Sequence, residues 1–279
     1  MTKIQLVQPY PALLLQENHD RALVVSDIHI GWERLLSQKG VHIPSQTPKI
    51  KNTLLKVIKQ SKPTHIILLG DIKDAITNVS MQEWKDIPEF FEDINKEVSN
   101  IQVILGNHDG NLEPLFPETV KITAPTGASF GDVGLIHGHA WPAPELLECK
   151  NLVTAHAHPT VAIRDPMGFR MTKQVFVKAP CNGEQLTKAL ISHLGTKTGA
   201  DVSGVLKEQY NVKLNVSQLL IIPSFNQFLG GRPINERKKK TITYIGPILR
   251  SGCVNINDAE IYLLDGTFLG SVDQLKALS

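Results

Sequence analysis

Three short apolar runs, each followed by polar residues, mark the N-terminal half of the chain. They are Ala22–Ser26, His65–Leu69 and Ile101–Leu105. The segments between them, Lys49–Gln60 and Glu83–Val98, carry apolar residues at helical spacing. An order of strand, helix, strand, helix, strand is typical of parallel strands joined by right-handed crossovers. This half therefore predicts a sheet whose strands bring the residues that follow them to one edge.

The rest of the chain has a more mixed pattern. Short apolar runs such as Ala128–Ile136 and Leu214–Phe225 predict strands, and the turn signal Asp165–Gly168 predicts a hairpin. Apolar spacing in Glu184–Leu194 predicts an amphipathic helix. We therefore expect a second sheet of mixed strand direction and an α/β fold class.

The composition is that of a globular protein with one large core. The 279 residues are 42% hydrophobic, and we predict a single domain over residues 1–279. The net charge of +2 gives no argument for a polyanionic partner. Three cysteines at scattered spacings predict no disulfide framework and a cytoplasmic location. The apolar runs are too short to predict a membrane span, and the N-terminus lacks a signal-peptide pattern.

Side chains that bind metals collect where the predicted strands end. They are Asp27, His29, Asp71, Asn107, His108, His137, His156 and His158. Residues i and i+2 of a strand point to the same side, so we expect Asp27 and His29 to bind one ion together, and His156 and His158 to repeat the arrangement.

Seven of these residues, all except His108, form the candidate metal ligands. They offer nitrogen and oxygen donors without a thiolate, and they exceed what one tetrahedral ion takes. Such a set suits two divalent ions roughly 3.5–4 Å apart. A pair of ions can clamp a phosphate and acidify a bridging water, so the predicted reaction is attack of a metal-bound hydroxide on phosphorus.

His108 follows the candidate ligand Asn107 and is predicted to be catalytic without binding metal. A positioned imidazole can protonate a leaving alkoxide, and Asp74 is predicted to orient it through its carboxylate. His139 is a candidate substrate-binding residue, with an equal alternative in which it only hydrogen-bonds its loop. Arg232 lies between Gly231 and Pro233 and is a candidate phosphate-binding residue, because glycines let the backbone approach a ligand.

In their order, these residues resemble the five motifs of the calcineurin-like metallophosphoesterase family. The motifs stand here as Asp27-Ile28-His29, Gly70-Asp71-Ile72-Lys73-Asp74, Gly106-Asn107-His108-Asp109, His137-Gly138-His139 and Ala155-His156-Ala157-His158. Within a motif core over about residues 22–160, the resemblance implies a four-layer α-β-β-α sandwich of two mixed β-sheets flanked by helices. It also implies two divalent metal ions, often Mn2+. By position, the first ion would be bound by Asp27, His29, Asp71 and His158, and the second by Asp71, Asn107, His137 and His156.

A narrower resemblance extends over nearly the whole chain. The segments DIHIGWE, Pro223–Asn235 and IYLLDGTFLG resemble archaeal phosphoesterases related to the Mre11/SbcD nucleases, and bacterial DNA-ligase-associated phosphoesterases. The resemblance implies a phosphodiester substrate such as DNA, and partner proteins in DNA repair. Residues 161–279 would supply strands and loops of the second sheet, with a helical insertion over about residues 181–211.

The predicted function is that of a dinuclear-metal-dependent phosphodiesterase or nuclease-type hydrolase. An alternative enzyme function is the hydrolysis of small phosphomonoesters or cyclic nucleotides, which a nearly neutral chain without a basic stripe leaves open. An alternative of another class is a metal-stabilised nucleic-acid-binding or scaffold protein. A complete ligand set argues against this last alternative, because a scaffold does not need all seven residues.

Overall fold

The computed structural model describes residues 1–165, 167–196, 201–236 and 245–278. Its first sheet has six strands that follow one another in sequence order. They are β1 (Lys3–Leu6), β2 (Leu13–Glu17), β3 (Asp20–Ser26), β4 (His65–Leu69), β5 (Ile101–Ile104) and β6 (Val120–Thr123). β1 to β3 are antiparallel and β3 to β6 are parallel, so the three predicted strands lie side by side with their carboxyl ends together.

The second sheet has nine strands and is mixed in direction. They are β7 (Ala128–Phe130), β8 (Val133–Leu135), β9 (Asn151–Thr154), β10 (Pro159–Arg164), β11 (Arg170–Pro180), β12 (Gln218–Ile221), β13 (Arg232–Pro233), β14 (Glu260–Leu263) and β15 (Phe268–Ser271). Its main order is β13-β10-β11-β12-β9-β8-β7, and β14 joins β15 to β11. β8 and β9 are parallel, so their carboxyl ends also meet at one edge.

Seven α-helices lie within the described residues. They are α1 (Glu33–Ser37), α2 (Thr47–Ser61), α3 (Met81–Asn95), α4 (Gly183–His193), α5 (Val202–Tyr210), α6 (Pro247–Arg250) and α7 (Val272–Leu275). Two of them, α4 and α5, lie in the segment predicted as a helical insertion. Within the described part of the chain, none of the helices is long and apolar enough to cross a membrane.

Alternate residues along the strands face different hydrophobic cores. Three cores lie between four layers, as predicted: helices, the first sheet, the second sheet and helices. In β3, Leu23 and Val25 pack with residues of α2 and α3, whereas Ala22 and Val24 pack against the second sheet. The outer face of the second sheet is covered by α4 and α5. Both faces of the central strands are therefore buried, which explains their almost continuous apolar sequences. The predicted mixed α/β fold with two sheets and flanking helices is confirmed.

Some predicted boundaries differ from the structure. The run Ala128–Ile136 is a hairpin of two strands, because Gly131 adopts a φ of 56° and turns the chain. Of Leu214–Phe225, only Gln218–Ile221 is a strand. The helix predicted to start at Glu83 begins at Met81, because Ser80 and Glu83 form a capping box, and Pro88 lies inside it.

Candidate metal centre

The candidate ligands lie at the carboxyl ends of five strands, where the two sheets meet. Asp27 follows β3, Asp71 follows β4 and Asn107 follows β5. From the second sheet, His137 follows β8, and His156 and His158 occupy the short connection between β9 and β10. The fold thus brings residues that are far apart in sequence to one edge.

Five of the seven candidate ligands have left-handed backbone conformations. Asp27, His29, Asp71, His156 and His158 have φ values of 53°, 47°, 53°, 65° and 42°. Side chains other than glycine rarely adopt this region, and such strain is typical of functional sites. The expectation that strand alternation aligns Asp27 with His29 is therefore wrong, since both residues lie beyond the end of β3 at Ser26.

Among the described residues, three groups of side chains have ligand atoms within 4.8 Å of one another. One of these is His29 with Asp74 and His108, and the other two consist of candidate ligands only. The first of these two is Asp27, His29 and His158, and the second is Asp71, His137 and His156. His156 and His158 thus lie in different groups, as the family resemblance implies and not as their i, i+2 spacing predicts. Asn107 lies beside the second group, with its Oδ1 3.3 Å from Nε2 of His137.

Asp71 lies between the two groups. Its Oδ2 is 3.3 Å from Nε2 of His137 and 3.5 Å from Nε2 of His29. A carboxylate in contact with both groups has the position that a bridging ligand requires, as two ions about 3.5–4 Å apart would share it.

Hydrogen bonds on the far side of two imidazoles fix which nitrogen faces the centre. Nδ1 of His137 lies 2.7 Å from the carbonyl oxygen of Leu69, which can only accept, so Nδ1 carries the hydrogen. Nδ1 of His29 lies 3.2 Å from Oδ1 of Asp74 in the same manner. Both rings therefore present Nε2 to the centre as a lone-pair donor, as metal-binding histidines do.

The charges in the centre are strongly coupled. Burial alone would raise the pKa of Asp71, but the hydrogen bond and charge of His137, with His29 and His108, hold the pKa well below its usual range. Burial would lower the pKa of His137, yet Asp71 and then Asp27 raise this pKa to about 9. A proton on His137 thus balances the buried carboxylate of Asp71 in the absence of another cation.

The donor set fits divalent metal ions. Asp27 is fully buried, and neither of its carboxylate oxygens has a hydrogen-bond partner among the described residues. Nε2 of His158 is 3.2 Å from Oδ1 of Asp27, but without the geometry of a hydrogen bond. Nε2 of His29 is likewise buried without a partner there. Buried polar atoms are normally satisfied, and these would be satisfied by an ion between them.

The surroundings of His108 correct one prediction. Its Nδ1 makes a short hydrogen bond to the main-chain carbonyl of Asp74, whose carboxylate instead contacts His29. The predicted contact from the Asp74 carboxylate to His108 is therefore replaced by one from the Asp74 carbonyl, while a carboxylate oxygen of Asp74 still lies within 4.8 Å of a His108 nitrogen. His108 Nε2 lies 3.9 Å from Oδ2 of Asp71, at the edge of the centre.

The two candidate substrate-binding residues lie at the rim. The ring of His139 is centred 5.2 Å from that of His137, and its buried Nδ1 has no hydrogen-bond partner among the described residues. Arg232 is half-buried in β13, and its main-chain N–H donates to the carbonyl oxygen of His158 at 3.0 Å. Both residues therefore adjoin candidate ligands.

The buried side chain of Asp109 supports the turns at the strand ends, the role that its place in the sequence favours over one in the site. The Asp109 carboxylate accepts from the main-chain N–H groups of Asp71, Ile72 and Gly106 at 2.7–2.8 Å. It thus ties the exit of β4 to that of β5. The final position of the Gly-Asn-His-Asp motif was its only signal in the sequence.

Two more buried charges support the loop that carries Asp74. Glu83 accepts from the N–H groups of Asp74 and Ala75 at 3.2 and 3.1 Å while it caps α3. The Lys73 ammonium is fully buried and donates to the carbonyls of Ala75 and Ile76. The spacing of Ser80 and Glu83 was a recognisable capping signal, whereas nothing in the sequence marked Lys73.

A distant segment holds the first metal-binding loop from the other side. Ser224 Oγ donates to the carbonyl of Asp27 at 2.9 Å, and Asn226 Nδ2 donates to that of Ile28 at 2.9 Å. Both side chains are fully buried or nearly so. These bonds satisfy two carbonyls of the loop that carries Asp27 and His29.

Two glycines allow the exits of β4 and β5 to touch. A Cβ on Gly106 would lie 2.2 Å from Oδ1 and 2.3 Å from the backbone nitrogen of Asp71. A Cβ on Gly70, whose φ is 67°, would lie 2.6 Å from Gly106. Only glycine permits this approach, which sets Asp71 beside Asn107.

Comparison with protein families gives one match that covers most of the chain. Residues 21–216 match the family model for calcineurin-like phosphoesterases. That span contains all seven candidate ligands, His108 and Asp74. No curated protein matches the chain as a relative.

Solved structures provide similar folds at low sequence identity. The nuclease MPE of Pseudomonas putida is similar with a TM-score of 0.50 and 15% identity, covering 95% of this chain and 98% of that one. YfcE, a phosphoesterase from E. coli, is similar over 52% of this chain and 73% of its own at 21% identity, with a TM-score of 0.32. Identities this low concern the fold alone.

Proposed function

The chain belongs to the calcineurin-like phosphoesterase family, and from that premise we propose that it hydrolyses phosphodiesters with two divalent metal ions, as a nuclease-type enzyme. The observation that carries the proposal is the pair of His/Asp groups with Asp71 between them. MPE, whose fold is similar, is a nuclease, and this likeness supports a nucleic-acid substrate.

Each side chain has a definite part in the proposed centre. Asp27, His29 and His158 would hold one ion, His137, His156 and Asn107 the other, and Asp71 would contact both. We propose manganese as the metal, since nitrogen and oxygen donors without a thiolate suit it. When bound, the two ions would neutralise charge on the phosphoryl oxygens and lower the pKa of a water molecule.

His108 would move the proton of the leaving group. Its Nδ1 is engaged by the Asp74 carbonyl, which leaves Nε2, at the edge of the centre, as the atom that exchanges a proton. Protonated on both nitrogens, the ring can give the Nε2 proton to the departing alkoxide and keep its orientation. His139 and Arg232, at the rim, would contact the substrate beyond the reacting phosphate.

The proposed function is tested by a screen of substrates and metals. Bis-p-nitrophenyl phosphate, p-nitrophenyl phosphate, a cyclic nucleotide and an oligonucleotide are each incubated with manganese, magnesium or EDTA. We expect manganese-dependent hydrolysis of the diester well above that of the monoester, and none in EDTA. Preferential hydrolysis of the monoester would instead select a phosphomonoesterase, and metal binding without any turnover would select a scaffold.

A further inference from the structure

A groove with a basic wall lies beside the metal centre. It has a volume of about 520 Å³ and runs between α2 and the segment Phe225–Phe228. The wall formed by α2 carries Lys49, Asn52, Thr53 and Lys56, which are spaced i, i+3, i+4 and i+7 and so share one helical face. None of the residues that line the groove is acidic.

The lysines of α2 divide into two kinds. Lys51 is paired with Glu89 and Asp93 of α3 at 2.8 and 2.6 Å, and Lys59 pairs with Glu97 at 3.7 Å. The two groove lysines make no ion pair within the described part of the chain, and both are exposed. The groove thus carries two positive charges that no described residue pairs with.

Aromatic rings connect this groove to the metal centre. Phe228, which is 46% exposed, stacks on Trp32 with ring centroids 5.6 Å apart and an interplanar angle of 14°. Lys49 Nζ lies 5.6 Å from the centre of the same ring. Trp32 donates its main-chain N–H to the carbonyl of the candidate ligand His29 at 3.3 Å. The platform and the first metal-binding loop are therefore adjacent in both chain and space.

We propose that this groove binds the backbone of an unpaired nucleic-acid strand whose scissile phosphate lies in the metal centre, an inference that rests on the proposed function. Seven residues of helix separate the two groove lysines by about 10 Å. That length takes in at least two phosphates of one strand, whose rise per nucleotide in a duplex is about 3.4 Å.

The exposed ring of Phe228, stacked on the partly buried Trp32, selects for an unpaired strand. Stacking a base on Phe228 or Trp32 requires a free base face, which a single strand offers and a duplex hides. Positive charge along a groove combined with aromatic rings is the usual means of holding single strands without sequence preference. The groove lysines are not among the candidate ligands, so the groove offers an oligonucleotide contacts in addition to those at the reacting phosphate.

The test is a binding measurement that needs no catalysis. Fluorescence anisotropy gives the Kd for a labelled single-stranded oligonucleotide in EDTA, over a series of salt concentrations. The variant is K49Q/K56Q, and the control is K59Q/K62Q, which removes the same charge at the end of α2 outside the groove. Lys59 lies in the last turn of α2, where it pairs with Glu97, and Lys62 is the C-cap residue. Manganese-dependent hydrolysis of bis-p-nitrophenyl phosphate is measured for all three proteins.

We expect K49Q/K56Q to weaken single-strand binding about tenfold and to reduce the slope of log K against log salt by about 1.4, since each lost phosphate contact removes about 0.7. The control should change binding less than twofold, and hydrolysis of the small diester should stay within twofold in both variants. The proposed role of the groove would be overturned by equal weakening in the two variants, by tighter binding of a duplex, or by no binding to the unaltered protein. Absence of diester hydrolysis would overturn the proposed function alone.

Discussion

His29 and His137 present Nε2 to the candidate centre because each Nδ1 donates to a fixed oxygen, from Asp74 and Leu69. His108 is held in the same way by a main-chain carbonyl of Asp74. One residue, Asp74, thus positions two rings with different atoms: its carboxylate holds a candidate ligand, and its backbone holds the candidate acid. A substitution of Asp74 therefore removes the carboxylate contact to His29 and keeps the main-chain contact to His108.

Replacement of His108 by alanine should affect substrates according to their leaving groups. A positioned acid contributes about 10²- to 10⁴-fold when the leaving group needs a proton. We expect losses in that range for alkyl phosphodiesters and much smaller losses for p-nitrophenyl esters, whose leaving group departs without protonation. Steady-state kcat/KM values for both substrate types measure the effect, and equal losses for the two would contradict the assigned role.

Asp74→Asn is the matched control for this prediction. The variant keeps the main-chain carbonyl that orients His108 but alters the contact to His29, so all substrates should slow by the same factor. Its manganese affinity should fall by about 10- to 100-fold, the usual effect of removing a carboxylate behind a ligating histidine. A dependence on the leaving group like that of His108→Ala would show that the carboxylate acts on His108 after all.

The identity of the candidate ligands was accessible from sequence, but the reason for their alignment was not. Asp, His and Asn residues after apolar runs indicated where the polar edge lies, because parallel strands gather their ends. The left-handed conformations of Asp27 and His158 could not be predicted, since only glycine announces a positive φ. The contacts of Lys73, and the groove between Lys56 and Phe228, depend on tertiary proximity that leaves no local pattern.

At the level of secondary structure elements, the centre depends on how closely the ends of β4 and β5 approach. The two strands are paired in register from Ile66 with Ile101 to Leu69 with Ile104. Beyond them, Gly70 and Gly106 pack against each other, and Asp109 bonds both loops. The regular sheet therefore continues into an irregular edge in which Asp109 hydrogen-bonds the two loops together.

A single methyl group at this edge should separate the strand ends. Gly106→Ala puts a Cβ against the backbone nitrogen and carboxylate of Asp71, and the overpacking should cost about 1–3 kcal/mol of unfolding free energy. Gly110→Ala is the control, because its Cβ would meet nothing nearer than 3.7 Å. Denaturant unfolding and manganese titration should show loss of stability and of metal affinity in the first variant only. Equal behaviour of the two variants would contradict the importance of the contact.

At the scale of the whole molecule, one core joins the two halves of the chain. Leu15 and Val24 of the first sheet pack with Val153 and Phe176 of the second. The candidate centre lies at the edge of the same two sheets and takes ligands from both. We propose that residues 1–279 unfold as one unit. The metal ions would link the two sheets, because their candidate ligands come from both.

Metal removal should therefore lower the thermal stability of the entire fold. A ligand present at a concentration of 100 times its Kd raises the free energy of unfolding by about 2.7 kcal/mol, provided that it binds only the folded state. Calorimetry in EDTA and in excess manganese should give one transition in each case, at a higher Tm with metal. Asp71→Asn should lose most of this gain, since the substitution affects both groups. Two separate transitions would contradict the single unit, and a gain unchanged in Asp71→Asn would contradict its shared position.

The left-handed backbone of the candidate ligands has a consequence for anyone who would transplant the centre into another scaffold. Copying seven side chains onto the ends of regular strands would reproduce the composition of the site and not its geometry. Asp27, His29, Asp71, His156 and His158 would point elsewhere from an extended backbone. The smallest segment set that could be transplanted includes the residues whose side chains hydrogen-bond to those turns, among them Asp109, Ser224 and Asn226. A transplanted centre would therefore have to include whole loops together with the side chains that hydrogen-bond to them.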